Sequence, residues 1–435
     1  MLPGLYRACS AALAPLGPLY LRLRGWRRAG RRPSAVARRA QERLGRASAA
    51  RASGRLAWIA AASPADLESL TPLIERLAAA GFHVLATTRD EFRPAPRLPP
   101  FALHQYAPLD APRFCAAFLS WWRPDVALFV GANYPPTLIE ETRRRGVPTA
   151  LVDAAMPARL FRLLRRLPGF AGALLTRFDP CLARSRADAD RLRALGAGAA
   201  RLAGDPVYDR APGPPTPPRW RGFRRGSGDA RPGPPSPPTR PRPSLSSPPI
   251  APSAPGLADA LLILVPRRAR APDVLEQARR RGLRAALLDA ESDAVERPPQ
   301  CLVAPAASTG ALLRAAPVVF LGGAADAAEG EGALNPVAAA KLGCAILHGP
   351  DAGGFEAVYG ALGEAGGAVC VDGEAALAAE VALLLHDAAE IREQGRAAAE
   401  AVERRSGAAA RIMQALSPTL AHVFLRPQVE DESDG

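Results

Sequence analysis

The chain has 435 residues, a formal net charge of +14 and a hydrophobic content of 48%. At roughly 150 residues per domain, this length leaves room for two domains, and the hydrophobic content excludes wholesale disorder. The charge by itself would favour a nucleic-acid-binding or membrane-surface protein.

The positive charge is concentrated in two segments. Residues 1–55 hold thirteen arginines and one acidic residue, and residues 210–255 hold eight arginines, one acidic residue and sixteen of the 46 prolines. Together these two segments carry a larger net positive charge than the whole chain does. The remaining residues therefore have a small net negative charge. We therefore expect no nucleic-acid partner, because such a protein would present a basic face with aromatic residues for stacking. The proline-rich composition is typical of an extended linker, which we place at residues 211–255.

The N-terminal residues are apolar at first and then rich in arginine. The apolar stretch from Ala8 to Leu21 has 14 residues, whereas a membrane-spanning helix needs about 20. An apolar segment followed by arginines fits a peripheral anchor whose basic flank stays cytoplasmic. We predict that residues 1–50 associate with an anionic membrane surface. The alternative is an arginine-rich helix that packs on the protein itself.

Short apolar runs alternate with helical patterns through most of the chain. In residues 51–210 we predict strands at 56–61, 83–88, 125–130, 149–152 and 181–185, and helices at 64–80, 136–145 and 187–195. In residues 256–425 we predict strands at 261–265, 317–321 and 345–347, and helices at 273–281, 335–342, 374–385 and 388–405. This alternation predicts the α/β class, with parallel sheets covered by helices on both faces. Residues 426–435 form an acidic tail.

The six cysteines and five histidines are scattered along the chain. No pair has the spacing of a metal site or a redox motif. We therefore predict neither a metal nor a cofactor.

Several short motifs point to one family. Residues 122–125 read Trp-Arg-Pro-Asp, residues 183–189 read Ala-Arg-Ser-Arg-Ala-Asp-Ala, and residues 264–267 read Leu-Val-Pro-Arg. In order and spacing they are similar to motifs of the 3-deoxy-D-manno-octulosonic acid (Kdo) transferases, glycosyltransferase family 30. The resemblance covers nearly the whole chain outside the linker. It implies a GT-B fold, in which two Rossmann-like parallel-sheet domains face a cleft. Residues 51–210 would be the acceptor side and residues 256–425 the nucleotide-sugar side.

The resemblance also implies an activity. Kdo would move from its donor substrate CMP-Kdo to a lipid A precursor, by an inverting, metal-independent displacement, in lipopolysaccharide biosynthesis at the cytoplasmic face of the bacterial inner membrane. The family's catalytic glutamate, in its S-V-G-E motif, corresponds to Asp66, which we predict to be the general base. An aspartate can deprotonate a hydroxyl but is one methylene shorter than a glutamate. The alternative role of Asp66 is a first-turn acid that is favoured by the helix dipole.

On the donor side, an arginine pair at the end of a predicted strand could bind a phosphate or a carboxylate. Backbone N–H groups at a helix start could do the same, and paired glycines would let a ligand approach the backbone. We predict donor binding by Arg267, Arg268, Ser308, Thr309, Gly310, Gly322, Gly323 and Asn335.

Several polar positions of the family pattern differ in this chain. The family's E-T-E-L-W-P-N stretch corresponds to residues 131–137, which hold neither glutamate, and its N-A-R-L-S stretch corresponds to residues 153–157, which lack the arginine. One hypothesis is a divergent Kdo-transferase-type enzyme. Another is a catalytically silent or repurposed GT-B paralogue that acts as a binding or regulatory partner at the inner membrane. A third is a GT-B enzyme with a different donor or acceptor.

Overall fold

The computed structural model describes residues 2–29, 39, 41–89, 95–96, 98–213, 260–266, 271–288, 299–305, 308–322 and 335–426. The chain forms two compact units, one of Met1–Arg210 with Arg405–Gly435 and the other of Ala211–Arg404. Three predicted donor residues lie outside the described residues, namely Arg267, Arg268 and Gly323. So do most of the predicted linker and nearly all of the acidic tail.

A seven-stranded parallel sheet forms the centre of the first unit. Its strands are β1 (Leu56–Ala60), β2 (His83–Thr88), β3 (Ala102–Tyr106), β4 (Val126–Val130), β5 (Thr149–Ala154), β6 (Cys181–Ala183) and β7 (Arg201–Leu202). Their order is β3-β2-β1-β4-β5-β6-β7. All residues of β1 and β4 are buried, as expected for central strands with helices on both faces. The order reverses between β1 and β4, which makes that junction the topological switch point of the sheet.

Nine helices of the first unit precede the second unit among the described residues. They are α1 (Leu2–Leu13), α2 (Gly17–Ala29), α3 (Pro64–Ser69), α4 (Thr71–Ala79), α5 (Pro112–Trp122), α6 (Pro136–Arg144), α7 (Ala158–Arg165), α8 (Pro168–Leu175) and α9 (Arg186–Ala194). The single helix predicted at 64–80 is therefore two helices. Pro72 has no N–H to continue the first helix, and the Thr71 hydroxyl donates to the freed Glu68 carbonyl at 2.9 Å.

The second unit contains two short parallel sheets among its described residues. The strands are β8 (Leu262–Leu264), β9 (Ala285–Leu287), β10 (Cys301–Val303), β11 (Val318–Leu321), β12 (Ala345–His348) and β13 (Ala368–Cys370), in the orders β8-β10-β9 and β11-β12-β13. The helices are α10 (Ala271–Arg280), α11 (Thr309–Ala315), α12 (Pro336–Lys341), α13 (Glu356–Glu364), α14 (Gly373–His386) and α15 (Ala388–Glu403). The predicted α/β class with parallel sheets is confirmed in both units.

The last helix, α16 (Ala408–Leu425), belongs to the first unit. Its buried residues Ile412, Leu416 and Leu420 pack in the apolar core on one face of the seven-stranded sheet. The Asp209 carboxylate caps its start by accepting from the backbone N–H groups of residues 407 and 409. The second domain was predicted to extend to residue 425, but the second unit ends at Arg404. The reason is that the apolar face of α16 packs on the sheet of the first unit.

Helices α1 and α2 carry large apolar side chains on their exposed surface, including those of Leu5, Leu13, Leu19 and Leu23. The Arg7 guanidinium on α1 forms an ion pair of 2.7 Å with Glu141 on α6. Among the described residues, no helix is both long and apolar enough to cross a membrane.

Candidate functional site

The carboxyl ends of the strands in the first unit carry a concentration of charged side chains. Ligands of open parallel sheets bind at this edge, beside the topological switch point. Asp66 follows β1, and Asp153, Arg184 and Asp205 lie at or just after the ends of β5, β6 and β7. Among the described residues, no group of three or more His, Cys, Asp or Glu side chains is placed to hold a metal ion.

Asp66, the predicted base, lies in the first turn of α3 and forms a capping box with Ser63. Its Oδ2 atom accepts from the Ser63 backbone N–H at 3.0 Å and from the Ser63 hydroxyl at 2.8 Å. Its Oδ1 atom lies toward Gly131, where an added Cβ would come within 3.9 Å of it. Gly131 follows β4 with a φ of +68°. Asp66 therefore has a structural role through one oxygen, while the other lies at the switch point.

Asp153 and Arg184 form a bidentate ion pair across the ends of β5 and β6. The Arg184 Nε and Nη2 atoms donate to the two Asp153 carboxylate oxygens at 2.7 and 2.6 Å. Asp153 is fully buried and has a φ of +49°. Burial raises the pKa of Asp153 to about 7, although the Arg184 guanidinium counteracts the rise.

Two further carboxylates influence this pair. The Asp205 Oδ2 atom lies 3.8 Å from Arg184 Nε, and burial raises the pKa of Asp205 while Arg184 opposes the change. Asp66 and Asp205 both act to raise the pKa of Asp153. Asp66 is therefore close enough to interact electrostatically with this cluster, in which Arg184 is the counter-ion of both Asp153 and Asp205.

A cavity of about 300 Å³ lies on the β1–β3 side of the switch point. Its lining includes Ala60 at the end of β1, Arg89 after β2, Ala107 after β3 and Asn133 after β4. The Arg43 guanidinium also lines the cavity and donates to the Ala107 carbonyl. The cavity therefore lies at the carboxyl ends of β1, β2, β3 and β4.

Asp110 and Tyr6 form one wall of this cavity. The Asp110 carboxylate accepts from Leu138 N–H at 2.8 Å, Thr137 N–H at 3.2 Å and the Tyr6 hydroxyl at 2.9 Å. Burial raises its pKa, and these three hydrogen bonds oppose the rise. Through these hydrogen bonds Asp110 links the start of α6 to α1 beside the cavity. Both of its carboxylate oxygens accept hydrogen bonds from the protein itself.

The described donor-side residues lie at helix starts and at a strand end of the second unit. Asn335 caps α12 by accepting from Val337 N–H at 2.9 Å. Ser308 precedes α11 and is buried, with Thr309 and Gly310 in the first turn. Gly213 lies against Gly310, where an added Cβ would be 3.6 Å from the Gly310 Cα. Gly322 directly follows β11.

Sequence reasoning missed Arg43, Asp110, Asn133 and Arg184 as site residues. Arg184 stands where the family's A-Q-S motif has glutamine, and Asn133 stands where its E-T-E-L-W-P-N stretch has the second glutamate. These departures were the available signal. Asp110 has no such signal, because its role depends on contacts with α1 and α6 that are remote in sequence.

Residues 38–210 match the family model described as 3-deoxy-D-manno-octulosonic-acid transferase (kdotransferase). The chain is 31% identical over 166 residues to a probable 3-deoxy-D-manno-octulosonic acid transferase, mitochondrial, of Arabidopsis thaliana, covering 36% of this chain and 35% of that protein. It is 27% identical over 146 residues to the 3-deoxy-D-manno-octulosonic acid transferase of Rickettsia typhi, covering 32% and 31%. The chain thus spans about a third of the length of these curated relatives.

Similarity to solved structures is weaker. The UDP-GlcNAc 2-epimerase from Neisseria meningitidis aligns with a TM-score of 0.49 at 10% identity, over 83% of this chain and 100% of that one. The C-terminal CMP-Kdo binding domain of WaaA from Acinetobacter baumannii aligns with a TM-score of 0.29 at 17% identity, over 38% and 90%. These values are too low to assign an activity.

Proposed function

We propose that this chain, whose residues 38–210 belong to the Kdo transferase family, is a glycosyltransferase that moves Kdo from CMP-Kdo to a lipid A precursor. The family match of residues 38–210 is the observation that carries the proposal. The acidic residue Asp66 at the switch point of the sheet supports it, since this is where parallel sheets bind ligands.

In the proposed reaction, an acceptor hydroxyl attacks the anomeric carbon of Kdo and forms the new C–O bond. The bond from that carbon to the CMP phosphate oxygen breaks, and CMP leaves with the electron pair. The hydroxyl proton passes to Asp66 through Oδ1, since Oδ2 is engaged by Ser63. The donor would be bound by the second unit through Arg267, Arg268 and the starts of α11 and α12.

We place the reaction at the cytoplasmic face of the bacterial inner membrane. The exposed leucines of α1 and α2 would enter the lipid interface, and the positive charge of residues 1–55 would favour anionic lipids. A lipid acceptor would then meet the protein on the side where Tyr6 of α1 lines the cavity at the switch point.

The test is transfer by the purified full-length chain. The protein is incubated with CMP-Kdo and a lipid A precursor in detergent micelles, and CMP release and the Kdo content of the lipid are measured. We expect transfer by the wild type and a loss of roughly 10²- to 10⁴-fold for Asp66→Asn. Asparagine still accepts the hydrogen bonds from Ser63, so this variant keeps its helix cap.

Glu75→Gln is the matched control, because Glu75 is an exposed carboxylate on the following helix. It should transfer Kdo at the wild-type rate. Absence of transfer by the wild type under all acceptor conditions would overturn the proposed function. Equal rates for the wild type and Asp66→Asn would overturn only the assignment of the base.

A further inference from the structure

A separate cavity, the α1–α6–α8 cavity, lies between these three helices of the first unit and has a volume of about 130 Å³. Its inner lining is apolar and includes the buried side chains of Ile139 and Leu174 and the half-buried ring of Phe170. Its charged side chains are more exposed and surround the mouth. An apolar interior with a charged mouth fits an amphiphile better than a free ion.

Three arginines around the α1–α6–α8 cavity share two glutamates. Arg7 of α1 pairs with Glu141 at 2.7 Å. Arg144 and Arg177 both pair with Glu140, at 3.0 and 3.1 Å. One positive charge of this group is therefore not balanced within it. The three arginine side chains are between 35% and 50% exposed, so their charge is accessible to an anion from outside the chain.

Two of these guanidinium groups retain donors for a ligand. Arg144 donates to Glu140 through Nε, and Arg177 uses Nε for the Ala173 carbonyl at 3.2 Å and Nη2 for Glu140. Within the described residues, no hydrogen bond uses Arg144 Nη2 or Arg177 Nη1. A phosphodiester carries two unesterified oxygens that accept such hydrogen bonds, and guanidinium–phosphate bonds are stronger than those between neutral groups.

Exposed leucines lie beside this cavity. Gly4 of α1 lines it, and the neighbouring Leu5 is 61% exposed. Leu163 of α7, a helix that packs on α8, is 56% exposed. Large apolar side chains that surround a basic site are typical of a protein surface that enters the lipid interface. The chemistry on the two sides of the mouth thus matches the head group and the chains of a phospholipid.

The arginines of this cavity lie away from the strand edge that holds Asp66. Arg144 ends α6 shortly before Thr149 begins β5, and the Arg177 carbonyl accepts from the Thr149 hydroxyl at 2.7 Å. Both arginines therefore lie toward the amino end of β5, whereas Asp66 lies at the carboxyl ends of the strands. The length of β5 separates these edges by about 17 Å, so a phosphate at the arginines does not occupy the place of the acceptor.

We propose that the α1–α6–α8 cavity binds one anionic phospholipid of the membrane, which is not the acceptor. Arg144 and Arg177 hold its phosphodiester, and its chains lie against Phe170 and the exposed leucine of α1. This inference rests on the membrane association in the proposed function and adds to it a site that recognises a single lipid.

The test is isothermal titration calorimetry with the full-length chain, without CMP-Kdo or an acceptor. The probes are dihexanoylphosphatidylglycerol and dihexanoylphosphatidylcholine, both below their critical micelle concentrations, and inorganic phosphate. A monomeric lipid offers no charged surface, so its binding reports a site rather than the attraction of the basic N-terminal residues to a membrane. We expect the phosphatidylglycerol to bind most tightly, because the choline ammonium is repelled by the arginines and inorganic phosphate has no chains.

Three variants locate the site. Arg144→Gln and Arg177→Gln should each weaken the binding of phosphatidylglycerol about tenfold, through the loss of a charge-assisted hydrogen bond. Ala173→Leu should weaken it at least as much, because Ala173 is half-buried in the cavity lining and a larger side chain fills the space. Arg280→Gln is the matched control, since Arg280 forms the same ion pair with the fourth residue before it, Glu276, at 3.0 Å but lies in the second unit. It should bind the lipid as the wild type does.

Each result supports or overturns the inference. Absence of binding by the wild type would overturn it, and so would equal affinities for phosphatidylglycerol and inorganic phosphate. Unchanged binding in both folded arginine variants, or an equal loss in Arg280→Gln, would also overturn it. Kdo transfer by a chain that binds no phospholipid would refute this inference alone. Lipid binding that depends on Arg177 in a chain without transfer would refute the proposed activity alone.

Discussion

Replacing Arg184 by glutamine should destabilise the first unit, and the loss should grow with pH. The variant leaves the fully buried Asp153 carboxylate without its bidentate partner at 2.6 and 2.7 Å. Removing one partner of a buried ion pair costs about 3–5 kcal/mol. Because the Arg184 side chain is 33% exposed, we expect the lower end of that range, about 3 kcal/mol at pH 8.

The pH dependence follows from the proton on Asp153. Its pKa is about 7 in the folded protein, above its value in the unfolded chain, so the stability it contributes is present at low pH and lost as the pH rises through the folded pKa. Loss of Arg184 raises the folded pKa further. Between pH 6 and pH 8 the wild type then loses about 1 kcal/mol from this group, and the variant loses about twice as much. The cost of the substitution should therefore grow by about 1 kcal/mol between these two pH values.

The assay is urea unfolding at pH 6 and pH 8, followed by tryptophan fluorescence, since Trp58 and Trp122 lie in the core of this unit. The control is the double variant Asp153→Asn with Arg184→Gln, which restores the neutral residues of the family pattern. Asparagine tolerates the left-handed backbone at residue 153, so the double variant should unfold within about 1 kcal/mol of the wild type, without the added pH dependence. A cost below about 1 kcal/mol for Arg184→Gln, or an equal cost at both pH values, would refute the reasoning.

Three further predictions concern the first unit. Leu416→Ala should destabilise it by about 2–5 kcal/mol, because Leu416 of α16 is fully buried in its core; an unchanged urea midpoint would contradict the placement of α16. Burial and Arg39 lower the pKa of His104 to about 4, so stability should fall by up to about 3 kcal/mol as the pH drops from 6.5 to 4, when only the unfolded chain takes up the proton. His104→Gln should flatten that slope in urea titrations, and an unaltered slope would exclude His104 as its source. Tyr6→Phe should cost about 0.5–1.5 kcal/mol in thermal unfolding through the lost hydrogen bond to Asp110, and no change in Tm would show that this bond does not hold α1.

The fold class could be predicted from the sequence because its signals are local. The apolar run Leu56–Ala60 lies close to its predicted position. The apolar face of α4 lies within the helix predicted at 64–80, although that helix is divided in two. The edge strand β3 and the helix α16 were missed. The identity of α16 as part of the first unit depends on tertiary contacts such as that of Asp209 with residue 407, which no local pattern shows.

The candidate site was predictable only in part. Asp66 was predicted as the base from its place in the family pattern, and the structure places it at the switch point. The structure also shows that Asp66 forms a capping box with Ser63. The pairing of Asp153 with Arg184 was not foreseen, because each position differs from the family pattern and their relation appears only when β5 and β6 lie side by side.

The most direct test of the central claim is the mass of the lipid after reaction. The purified chain is incubated with CMP-Kdo and the lipid A precursor, and the extracted lipid is examined by mass spectrometry. A Kdo transferase should add the mass of at least one Kdo residue to the lipid, and Asp66→Asn should add it far more slowly. An unmodified lipid, with CMP-Kdo intact and the protein folded and bound to vesicles, would contradict the claim.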